Sequence, residues 1–104
     1  MASAARLLVA DGQPLVREGL ALVARAVAPA IVIDTAGTLA EADALARLHR
    51  SYRLAVVDPA LPGSSGFSGF LHIQRLLESV PIAVLSANVT PEAVETAREL
   101  GAIS

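Results

Sequence analysis

Short apolar runs alternate along this chain with longer stretches in which apolar residues recur every three or four positions, which predicts a parallel sheet with crossover helices. Arg6 to Ala10 (RLLVA) reads as a first strand ending at Asp11. Pro14 stands where a helix can start, and Val16, Leu20, Val23 and Val27 repeat at helical spacing until Pro29 stops the pattern. Ile31 to Asp34 (IVID) is the second predicted strand. Thr38 and Glu41 then form a capping box opening a helix with Leu39, Ala42, Leu45 and Ala46 along one side. Leu54 to Val57 (LAVV) is apolar on both faces, as a buried parallel strand is, and ends at Asp58. A loop rich in Pro, Gly and Ser follows, after which Phe70, Ile73, Leu77 and Val80 mark a third helix. Ile82 to Leu85 is a fourth strand ending at Ser86. Thr90 caps a fourth helix with Pro91 at its first position, Ala93, Ala97 and Leu100 on its inner stripe and Gly101 at its end. Ala102 to Ser104 reads as the lead into another strand.

Composition narrows the function classes. The 104 residues are 54% hydrophobic and 17% charged, enough apolar material for one cored domain over 1–104. There is no cysteine, which excludes a disulfide scaffold, a thiolate metal site and a cysteine nucleophile. The formal net charge of −2 supplies no basic field for nucleic acid, and all eight basic residues are arginine. Arg25 and Pro29 interrupt the most apolar stretch, so no membrane span is expected, and the default location is the cytoplasm.

In an open parallel sheet, ligands bind beyond the carboxyl ends of the strands, where strand order reverses. Asp11, Asp58 and Ser86 follow three of the predicted strands. Two carboxylates and a hydroxyl at one edge suit a hard cation such as Mg²⁺, and a carboxylate can accept a phosphoryl group as a nucleophile.

RLLVADGQPLVREGL (6–20), LAVVDPALPGSSGF (54–67) and PIAVLSANVTPEAVETARELGA (81–102) together resemble bacterial two-component response-regulator receiver domains. The first segment is most similar to the subfamily whose receivers precede a LuxR/NarL-type helix-turn-helix. The resemblance implies a flavodoxin-like α/β three-layer sandwich of strand order 2-1-3-4, with a fifth strand and helix missing or incomplete. It implies Asp58 as phosphoacceptor, Asp11 as an acidic Mg²⁺ ligand and Ala60 as a backbone-carbonyl ligand. Ser86 would be the switch hydroxyl, and Ala87 the small residue that leaves the phosphoryl donor room. The implied partner is a sensor histidine kinase, with homodimerisation open and DNA reached only through a carboxy-terminal domain absent from this sequence.

Three features depart from that pattern. Gly12 stands where a second acid is usual, so Mg²⁺ should bind more weakly. Pro59 follows the acceptor and has no N–H to offer. The family's lysine and last helix would lie beyond Ser104. These departures motivate an alternative, a degenerate receiver that acts as an interaction module without phosphate control. A phosphohydrolase using Asp58 is disfavoured, because the position two residues on is Ala60 and not an acid, and the expectation is a signalling module and not an enzyme. Within the loop 63–69 the glycines lack phosphate-cradle spacing, so a flexible loop is expected. His49 and His72 read as ordinary helix residues, and Tyr52 as packing at the edge of strand three.

Overall fold

A computed structural model describes residues 5–85 together with Glu95, Arg98, Glu99 and Gly101. Seven elements follow in order: β1 (Arg6–Ala10), α1 (Pro14–Val27), β2 (Val32–Ala36), α2 (Leu39–Leu48), β3 (Leu54–Val57), α3 (Ser68–Leu76) and β4 (Ile82–Val84). The strands form one parallel sheet of order β2-β1-β3-β4, the order expected from the sequence.

Strand alternation divides the sheet into two faces. Leu8, Ala10, Ala36, Ala55 and Val57 turn toward α2 and α3, where Ala42, Ala46, Phe70 and Ile73 complete the main core. Leu7 and Val9 turn the other way, toward α1, which buries Ala21. Helices on both faces of a parallel sheet make the three layers of a flavodoxin-like sandwich. Small residues let α2 lie close to the sheet, since Ala42 and Ala46 are completely buried. Phe70 fills the space beside them, and Phe67 meets it edge to face at 6.2 Å between ring centres.

The helix ends follow local chemistry. Pro14 starts α1 with φ already set for a helix. At α2 a variant of the capping box forms: Glu41 N–H donates to the Thr38 hydroxyl at 3.1 Å, and the Glu41 carboxylate accepts at 2.8 Å from the N–H of Gly37, one residue before the N-cap Thr38.

Four details differ from the sequence reading. β2 runs to Ala36 rather than Asp34, because Asp34 finds partners inside the fold and Thr35 continues the ladder with Val9. β4 ends at Val84, one residue before Leu85. The third helix ends at Leu76, so Leu77 caps it and Val80 reaches the core from the turn beyond. On α1, Val23 and Val27 are 63% and 81% exposed. The inward strip is taken by Val16, Leu20, Ala21 and Ala24; Val23 lies on its flank, and Val27, in line with Val16 and Leu20, is the last residue of the helix. Ser86, Ala87, the fourth helix from Pro91 to Leu100 as a whole, and Ala102 to Ser104 lie outside the described residues.

Candidate functional site

β1 and β3 are neighbours although β2 lies between them in sequence, so the strand order reverses at their shared boundary. The crevice beyond such a boundary is where open α/β sheets bind ligands. Asp11 and Asp58 are the first residues past the two strand ends. The ladder extends to both of them: Asp11 N–H donates to Ala36 O at 2.9 Å and Asp58 N–H to Ala10 O at 2.8 Å. The two acids therefore stand side by side, one step beyond the Ala10–Val57 pair.

Each carboxylate is oriented by its own loop. Asp11 Oδ1 accepts from Gln13 N–H and Asp58 Oδ1 from Ala60 N–H, both at 2.8 Å, the turn that Asp makes with the backbone two residues on. The second oxygen of each acid takes no hydrogen bond among the described residues. Asp11 is buried, at 5% exposure, and Asp58 is half-buried. Burial holds the Asp58 carboxyl above the ordinary carboxylate value; the Ala60 N–H opposes that shift, while the charge of Asp11 adds to it. That mutual repulsion means the two charges share one space.

The loops around the acids are laced together. The Arg17 guanidinium donates to the Asp11 carbonyl at 2.7 Å, and Leu39 N–H donates to Pro62 O at 2.8 Å. Gly12 lies against the Pro62 ring, so close that a β-carbon there would fall 2.8 Å from Pro62 Cδ. The loop after Asp58 is tied down rather than loose, because the Ser64 hydroxyl donates to Leu61 O at 2.5 Å and approaches Pro59 O at 3.2 Å. Neither Arg17 nor Pro62 was singled out by sequence reasoning, since the partner of each is a backbone group or a glycine without a chemical signature.

The donor set fits a hard cation. Two carboxylates with one unengaged oxygen each suit Mg²⁺, which is held by one or two carboxylates and keeps several waters. Among the described residues, no group of three or more His, Asp or Glu gathers in metal-binding fashion, in keeping with glycine at position 12. Ala60 O accepts no hydrogen bond from the described residues. Ser86 and Ala87 lie outside the described residues.

The remaining candidates have structural partners. His72 pairs with Asp43 across α2 and α3, and Arg47 joins Asp43 at 2.9 Å. Tyr52 is buried, its hydroxyl donates to Asp34 Oδ2 at 2.6 Å, and the His49 ring meets it edge to face. Arg6 forks onto both oxygens of Asp34 at 3.0 and 2.8 Å.

Residues 7–104 match the profile of the response regulator receiver domain. The chain belongs to that family. It is 40% identical over 100 residues to a protein-glutamate methylesterase/protein-glutamine glutaminase 2 of Anaeromyxobacter dehalogenans, covering 94% of this chain and 28% of that protein. It is 26% identical over 98 residues to the glycerol metabolism activator of Pseudomonas putida, covering 94% of this chain and 44% of the relative. This receiver chain thus spans less than half the length of either curated relative. Among solved structures it is similar to a LuxR-family two-component response regulator from Aurantimonas sp. SI85-9A1, with 29% identity and a TM-score of 0.76 over 96% of this chain and 71% of that one. No helix of the described residues is long and apolar enough to cross a membrane.

Proposed function

We propose that this receiver is a phosphorylation switch in which Asp58 takes a phosphoryl group from the phosphohistidine of a sensor histidine kinase. The observation that carries the reading is the pairing of Asp58 with Asp11 at the point of strand reversal, each with one carboxylate oxygen unengaged among the described residues. Ala60 N–H holds Oδ1 of Asp58, which leaves Oδ2 as the nucleophile. Oδ2 in its ionised form attacks phosphorus, an O–P bond forms, the P–N bond to the imidazole breaks, and the imidazole departs with that electron pair. Mg²⁺, when bound, neutralises charge on the transferring oxygens. Asp11 supplies a carboxylate to the cation and Ala60 its carbonyl, Ser86 meets the phosphoryl oxygen, and Ala87 leaves the donor room. Gly12 makes the binding weaker than a three-acid site would.

The phosphoryl group adds charge at the strand ends and biases the surface that partners recognise. By similarity to the Aurantimonas protein and to the sequence of α1, we assign the chain to the LuxR/NarL-type receivers. Its output is then transcription control in the cytoplasm through a DNA-binding domain not contained in residues 1–104, with a second copy as a further partner. The chain itself acts as a signalling module and not as a free-standing enzyme.

One observation favours a degenerate, phosphate-independent receiver instead: Pro62 packs where a second acidic side chain would start, so the loss at position 12 is built into the packing. Intact mass after incubation with acetyl phosphate and Mg²⁺ separates the two readings. The switch predicts one added phosphoryl group that depends on Mg²⁺ and is lost in Asp58→Asn; no addition at saturating Mg²⁺ favours the degenerate receiver.

A further inference from the structure

We propose that Arg17 is a positioning residue for the acidic site, holding the main chain of Asp11 so that its carboxylate faces Asp58. The inference rests on the reading of Asp11 and Asp58 as a cation-binding pair. Arg17 lies on the first turns of α1, six residues after Asp11, and its Nη1 donates to the Asp11 carbonyl at 2.7 Å. This carbonyl belongs to the residue that must turn from β1 into the loop, where neither strand pairing nor helix bonding supplies it with a partner. A guanidinium is a rigid planar donor, so it fixes direction as well as distance.

The seat of that guanidinium is Gly37, at the end of β2. A β-carbon on residue 37 would lie 2.9 Å from Nη1, inside contact distance, so the absence of a side chain there is what lets the guanidinium come up against the turn. Gly37 is itself held in place, since its N–H donates to Glu41 at 2.8 Å. Asp11 is also tied to the same turn, through its N–H to Ala36 O at 2.9 Å. Asp11 is thus gripped at both ends of its residue: its amide by β2 and its carbonyl by α1. Arg17 bonds the main chain of Asp11 and not its carboxylate. It orients a ligand and does not itself meet the phosphoryl group.

Groups that orient metal ligands from outside typically change affinity by 10- to 100-fold when removed, and a main-chain restraint falls near the lower end. Binding of Mn²⁺, read from the electron paramagnetic resonance of the free aqua ion, tests the proposal alongside thermal melts by circular dichroism. Arg17→Ala should weaken Mn²⁺ by about tenfold. Gly37→Ala leaves the arginine in the chain but pushes its tip aside, a small displacement of a flexible end, and should weaken Mn²⁺ by a similar factor with little change in melting. The double variant should be no worse than either single one, because both break the same contact. If Arg17→Ala fails to fold, Gly37→Ala still decides. Unchanged affinity in Gly37→Ala overturns the positioning role, and so does tighter binding in Arg17→Ala, which would mean the guanidinium only repels the cation. Equal Mn²⁺ binding by wild type and Asp11→Asn would instead overturn the metal reading of Asp11, and the proposal with it.

Discussion

Gly12 and Pro62 are packed as a pair: the α-carbon of Gly12 faces the proline ring so closely that a β-carbon would lie 2.8 Å from Pro62 Cδ and 3.0 Å from Pro62 Cγ. A proline ring cannot swing away as a flexible side chain can. In this chain the glycine at position 12 is therefore matched by the packing of the loop that follows Asp58.

Gly12→Asp should accordingly destabilise the fold by about 1–3 kcal/mol, the usual cost of overpacking. The added acid should give little gain in Mg²⁺ affinity while Pro62 stays. Gly12→Asp combined with Pro62→Ala should bind Mg²⁺ more tightly than the parent chain. Urea unfolding and Mg²⁺ titration of the two variants measure both effects.

Asp58 carries a cost that depends on pH. Its folded-state carboxyl lies above the unfolded value, so the fold is favoured with Asp58 protonated, and that advantage is lost as pH rises through the folded value. Asp58→Asn removes the ionisation and should be more stable than the parent chain at about pH 7, with the difference fading toward about pH 3. Mg²⁺ binding to the folded parent should narrow the gap at neutral pH, through mass action on the folded state alone. Denaturation curves across pH, with and without Mg²⁺, check the sign.

Asp34 shows the opposite linkage. Burial alone would raise its carboxyl, but the Tyr52 hydroxyl and the Arg6 guanidinium together bring it below the ordinary value. Its contribution to stability is present above the unfolded value and is lost as pH falls through the folded one. Tyr52→Phe keeps the ring and deletes the hydroxyl, so it should cost about 1–2 kcal/mol at neutral pH. The cost should shrink in acid, where Asp34 is protonated in both proteins. Circular dichroism in urea at several pH values reads the difference.

Much of the architecture was legible because apolar runs and helical repeats are local signals. LAVV at 54–57 and the Thr38/Glu41 cap stand where the sequence puts them. β2 was read two residues short because Asp34 looks like a strand end, whereas it is held by Arg6, 28 positions away, and Tyr52, 18 positions away. Val23 and Val27 fit the helical repeat of α1, yet a repeat says which residues share a face and not how much of that face is covered. At the site, Asp11 and Asp58 were legible from strand ends and motif. The roles of Arg17, Gly37 and Pro62 were not, because each works through a backbone atom or a missing side chain.

The central claim, that Asp58 is the phosphoacceptor, is tested most directly by mapping the modified residue. After phosphorylation with acetyl phosphate and Mg²⁺, borohydride reduces the acyl phosphate of an aspartate to homoserine, which peptide mass spectrometry locates. The account predicts homoserine at position 58 alone, and none when Mg²⁺ is withheld. Homoserine at Asp11, Asp34 or Asp43 instead, or at no aspartate, would contradict it.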